Sequence, residues 1–174
     1  VIVLGIDPGI RGGHAIVGDG NGGGTLIDAV DIPTVGDGAR DRVSVLMVRD
    51  WITRHKPNLA LIERAQAMPR RALEAAVALC GIPLEITEPT SWKHFWKLPP
   101  KNKEFSRPRA LELFPSAHAL LARKKDHGRA EAALIGLDGL RASRVIAAPP
   151  GAQPGSNMKS EQALFAHPGL SPAR

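Results

Sequence analysis

Apolar residues in this chain fall into two patterns, short unbroken runs and helically spaced sets, and together they predict an α/β protein. Val1–Ile6 is a continuous apolar run, the mark of a buried strand, and Asp7-Pro8-Gly9 ends it with a turn signal. His14–Val17 and Thr25–Ile32 read as two further strands, and Asn21–Gly24 between them suits a hairpin. Arg40–His55 carries Val43, Leu46, Met47, Val48, Trp51 and Ile52 at mostly helical spacing, and Pro57 stops it. Leu59–Ile62 is a short buried strand, Arg71–Leu79 a helix with a small-residue face, and Leu84–Thr87 a fifth strand. The segments Thr90–Trp96, Ser106–Leu113, Ser116–Ala122 and Arg129–Arg141 read as helices, with Ser106 as an N-terminal cap. From Ala147 onward Pro, Gly, Ser and Ala dominate. The expected organisation is one domain over residues 1–146 and a disordered tail over 147–174.

Three strands in a meander, then strands joined by helical crossovers, predict a mixed five-stranded sheet flanked by helices. The first and fourth strands become parallel neighbours. Asp7 and Glu63, each read as lying just past its strand, then meet at the carboxyl edge where open α/β sheets bind ligands. Two such carboxylates repel unless a cation lies between them, and Mg²⁺ takes hard oxygen ligands. A pair of ions about 3.5–4 Å apart supports phosphodiester hydrolysis. Taken singly, Asp7 reads as a turn residue and Glu63 as a surface partner of Arg64 or Arg70; taken together they read as a site.

A third acid, Glu131, stands among Ala130, Ala132, Ala133 and Leu134, on a face suited to close packing, where an acid is costly unless paired or liganded. His127 precedes it by four residues and shares its helical face if the helix starts that early. Asp126 reads equally as a helix cap or as a ligand; the ligand reading needs a non-helical chain at Gly128.

The net charge of +6 is concentrated: the stretch from Lys93 to Arg129 holds ten Lys or Arg against three acids, so the remainder of the chain sums to −1. A polyanionic partner fits. Lys93, Lys97, Lys101, Lys103, Arg107, Lys124, Lys125 and Arg129 are the expected phosphate contacts. Trp92, Phe95, Trp96 and Phe105 stand among them, as stacking surfaces for bases or as core anchors; Phe95 and Trp96 are read as core. The single cysteine, Cys80, excludes an internal disulfide and a multi-cysteine zinc site, and a reducing cytoplasm is the expected location.

Gly5-Ile6-Asp7-Pro8-Gly9, Ala60-Leu61-Ile62-Glu63 and Asp126-His127-Gly128-Arg129-Ala130-Glu131-Ala132 resemble RuvC-type Holliday-junction resolvases, nearest the phage and organellar branch. Pro89-Thr90-Ser91-Trp92-Lys93 is similar to that family's segment before its basic region, and the resemblance runs in order from Val1 to about Arg141. It implies a ribonuclease-H-like fold, a homodimer, Mg²⁺ or Mn²⁺, and paired symmetric nicks in four-way DNA. It implies Asp7, Glu63 and Glu131 as metal-binding acids, with a fourth ligand from Asp126 or His127. The bacterial pattern would put that ligand three residues before Glu131, where this chain has Gly128. The competing class is a non-catalytic nucleic-acid-binding protein of the same fold, which three intact acids disfavour. A sugar-kinase or actin-like ATPase begins with a similar strand, but its second phosphate-binding repeat is absent here.

Overall fold

The computed structural model describes residues 1–20, 23–36, 41–65, 68–99 and 103–147, and their side chains except at 103 and 144–147. The residues read as a tail therefore lie, past 147, outside the described ones. In chain order the elements are β1 (Ile2–Asp7), β2 (Gly13–Gly20), β3 (Gly23–Asp31), β4 (Thr34–Val35), β5 (Arg42–Val43) and α1 (Val45–His55). Then come β6 (Leu59–Glu63), α2 (Met68–Leu79), β7 (Leu84–Thr87), α3 (Pro89–Phe95), α4 (Ser106–Leu113) and α5 (His127–Ala147). Short 3-10 turns cover Lys103–Phe105, Pro115–Leu121 and Lys124–Asp126. Among the described residues no helix is long and apolar enough to cross a membrane.

The main sheet has the order β3-β2-β1-β6-β7. β1 runs antiparallel to β2 and parallel to β6, and β6 runs parallel to β7. This is the mixed five-stranded sheet expected from the pattern. Side chains alternate between its faces. Val3, Ala15, Val17 and Leu61 pack toward α5, α3 and α4. Leu4, Ile6, Ile16 and Ile62 pack toward α1 and α2.

Two sequence expectations are corrected. The helix read from Arg40 begins at Val45, because Arg42–Val43 pair with Thr34–Val35 and the Ser44 N–H donates to Pro33 O at 2.8 Å. Backbone groups that a longer helix would use are spent on this small ladder. Phe95, read as core, is 44% exposed; Trp92 is the fully buried ring of α3. The Arg141 guanidinium lies 3.9 Å from the Phe95 ring centroid, and Trp96 meets that ring edge-on.

Helix α5 lies unusually close to β1. A Cβ on Gly5 would stand 2.0 Å from Ala132 O and 2.3 Å from Gly136 N, so only hydrogen fits there. At its start the helix is held by charge. Arg123 Nε and a second guanidinium nitrogen donate to Asp126 Oδ1 at 2.9 and 2.7 Å, and the Arg123 backbone N–H donates to Oδ2 at 2.8 Å. Burial alone raises the Asp126 carboxyl, but the hydrogen bonds from Arg123 outweigh it and hold the group below the usual range. Arg129 binds both oxygens of Asp31 on β3 at 2.7 and 2.9 Å, which depresses Asp31 as well.

On the opposite face His14 is 1% exposed, and neither ring nitrogen has a hydrogen-bond partner among the described residues. Its ring meets Trp51 at 4.6 Å, and the Trp51 Nε1–H donates to Asp28. Burial pushes the His14 imidazole down to about 4, against weaker pulls upward from Asp28 and Asp31.

Two stability predictions arise from this packing. Gly5→Ala should cost about 3 kcal/mol through forced separation of α5 from β1. That lowers Tm by roughly 6–12 °C for a chain of this size. Gly23→Ala, whose Cβ meets nothing within 4 Å, should leave Tm near wild type, and scanning calorimetry of both compares them. The second concerns acid. Below about pH 6.5 the unfolded chain protonates at His14 while the folded chain does not until about 4. Stability is therefore lost as pH falls through that window, by up to about 3 kcal/mol. His14→Leu should flatten the Tm decline between pH 6.5 and 4, leaving a steeper fall at lower pH from Asp31 and Asp126; an unaltered profile would exclude His14 as its source.

Candidate active site

The parallel register of β1 and β6 pairs Ile6 with Ile62, so the next residues of the two strands, Asp7 and Glu63, stand side by side. Both are the last residues of their strands rather than the first beyond them, which corrects the sequence reading by one position. The alternation that turns Val3 and Leu61 toward α5 turns Asp7 and Glu63 to that face as well. Asp7 is 5% exposed, and the turn after it folds back through a Gly12 N–H to Gly9 O bond of 2.9 Å.

Glu131 reaches the same side from α5. Two residues along β1 from Gly5 bring Asp7 level with the first turn of the helix. The neighbouring Gly13, paired with Asp7, lies against that turn: a Cβ there would meet Arg129 N at 2.7 Å. Gly128, expected to permit an irregular chain, is helical and serves the same close approach, since its own Cβ would meet Arg11 O at 2.6 Å. Glu131 is 1% exposed. The Ser106 hydroxyl donates to its Oε1 at 3.1 Å, and the Lys93 ammonium stands 3.7 Å from the same oxygen.

Ser106 was expected to cap α4; it is instead the first residue of the helix, 2% exposed, with its hydroxyl committed to Glu131. Trp92 is the other residue the sequence reading missed in this role. Its Nε1–H donates to Glu63 Oε2 at 2.8 Å. Arg64 and Arg70, the surface partners weighed for Glu63, pair with Glu88 and Glu74.

His127 opens α5, four residues before Glu131, and is partly exposed. Asp126 is 1% exposed and bound by Arg123. Among the described residues no three His, Cys, Asp or Glu form a ready-made cage for an ion.

The expected phosphate contacts divide into groups. Lys97, Lys124 and Lys125 are exposed. Arg107 donates to the carbonyls of Leu121 and Ala122 at 3.2 Å, and Arg129 binds Asp31, so both guanidinium groups brace the fold. Lys93 has only 12% of its side chain exposed and faces Glu131 from above the Trp92 ring. Lys101 and the side chain of Lys103 lie outside the described residues.

No sequence-family model and no curated protein matches the chain. Solved structures do. The Thermus thermophilus RuvC structure superposes with a TM-score of 0.62 at 20% identity, over 83% of this chain and 96% of that one. The T. thermophilus RuvC complex with a Holliday junction substrate gives 0.56 at 17%, over 83% and 96%. The fowlpox virus Holliday junction resolvase gives 0.56 at 16%, over 82% and 99%. The superpositions span 82–83% of this chain and 96–99% of those structures: this chain has the fold of the RuvC-type Holliday-junction resolvases.

Proposed function

We propose that the protein is a metal-dependent endonuclease that nicks branched DNA and resolves four-way junctions. The observation that carries this reading is that Asp7 and Glu63 end neighbouring parallel strands on the sheet face that α5 covers, and that Glu131 is buried on that helix. The donor set suits a hard divalent cation, Mg²⁺ or Mn²⁺, because every acid offers carboxylate oxygens. Glu131 already draws a cation to its buried oxygen, the Lys93 ammonium, which is what an acid in such surroundings requires. Asp7, Glu63 and Glu131 would hold the ion or ions, with His127 as the fourth donor. Asp126 is assigned to the clamp at the start of α5, where Arg123 uses both of its oxygens. When bound, such an ion polarises the phosphodiester and supports attack by water.

The chain's own groups then have separate tasks. Asp7 lies at the end of the central strand with neighbours on both sides, so it fixes the reaction centre relative to the sheet. Glu63 and Glu131 bring longer side chains whose position depends on α3 and α4. Lys97, Lys124 and Lys125 are exposed and would hold DNA phosphates. A four-way junction offers two equivalent strands, which a two-fold homodimer matches.

Nicking of a four-way junction should collapse in Asp7→Asn and in His127→Ala, while junction binding measured by gel shift persists. A wild-type protein that binds junctions yet never nicks them with Mg²⁺ or Mn²⁺ would favour the non-catalytic binding role instead. For the basic surface, Lys124→Ala with Lys125→Ala should weaken binding and flatten the slope of log K against log salt by up to about one unit per lost contact. An unchanged slope would remove both lysines from the interface.

A further inference from the structure

We infer that Trp92 is a positioning residue for the Glu63 carboxylate, an inference that rests on the metal-binding reading of the site. Trp92 has no solvent exposure, and its single N–H could serve any carbonyl in reach. It is spent at 2.8 Å on an acid at the end of β6. Filling the core does not require this: an apolar ring of similar size packs as well and brings no buried donor to satisfy. The donor holds one oxygen of a side chain that has three torsions.

The next residue extends the argument. Lys93 places its ammonium 3.7 Å from Glu131 Oε1 and 5.0 Å from the Trp92 ring centroid. Consecutive residues of α3 therefore hold two acids that come from different elements, β6 and α5. The helix itself starts at Pro89, which suits a first helical turn and fixes where Trp92 enters the core. A rotation or shift of α3 would move Glu63 and Glu131 together. Groups that orient metal ligands in this way usually carry 10–100-fold in metal affinity.

The test is Mn²⁺ binding without DNA, read as free Mn²⁺ by electron paramagnetic resonance, in wild type, Trp92→Phe, Glu63→Gln and the double variant. Trp92→Phe keeps a ring and removes the donor, and should weaken binding about tenfold. In the Glu63→Gln background the same change should add little, because the donor acts through Glu63. Equal binding by Trp92→Phe and wild type overturns the proposal, and so does an equal loss in both backgrounds. A wild type that binds no Mn²⁺ overturns the metal reading itself, a distinct outcome. Should Trp92→Phe fail to fold, the wild-type indole N–H resonance replaces it, assigned through Trp51→Phe and Trp96→Phe. It should shift on Mg²⁺ addition, and a resonance unmoved at saturating Mg²⁺ overturns the assignment of Trp92.

Discussion

Helix α5 can touch the central strand because Gly5 and Gly136 face each other with no side chain between them. With ordinary residues at that crossing, a helix resting on a sheet would be held off by their bulk. Here the Gly5 Cβ position is already filled by helix backbone. The close contact sets the depth of the whole C-terminal helix, and hence the height at which Glu131 stands relative to Asp7. The second constraint is directional. β1 has an antiparallel neighbour on one side and a parallel one on the other, and only the parallel pairing brings two strand ends, and two acids, to the same edge.

Charge is used in two ways around this contact. Asp126 and Asp31 are met by the guanidinium groups of Arg123 and Arg129 in short, directional bonds, and both carboxyls are held in the ionised form. Such pairs lock the start of α5 to β3. Glu131 is treated differently. Its ammonium neighbour stands at 3.7 Å, beyond a good hydrogen bond. A tight clamp and a looser ion pair thus lie near each other around the start of α5.

The pairing of Asp7 with Glu63 was legible in the sequence because it depends only on strand order and on acids at the ends of apolar runs. Glu131 was legible because an acid among alanines is costly without a reason. What sequence could not supply was the partner of each group. Nothing local marks Ser106 as a donor to a residue 25 positions away, or Trp92 as a donor to one 29 positions back. Arg107 and Arg129 carry the same charge as the exposed lysines, and only their tertiary neighbours set them apart. Residues 42–43 follow the helical spacing of α1 and still form a strand, since Thr34 and Val35 offer a ladder that no window around Val43 contains.

The salt bridge between Asp31 and Arg129 joins residues 98 positions apart. The N-terminal meander thus waits for the far end of the domain to cover it. Val3, Ala15, Val17 and Ala29 form an apolar surface that stays incomplete until α5 joins α3 and α4 on it. At a synthesis rate of about 5–20 residues per second, that surface stays open for roughly 5–20 s on the ribosome. During this interval the nascent chain presents paired strands with one greasy face, the form most prone to wrong association. The glycines that permit a tight final fit also leave little side chain with which to shield the unfinished sheet before α5 has emerged.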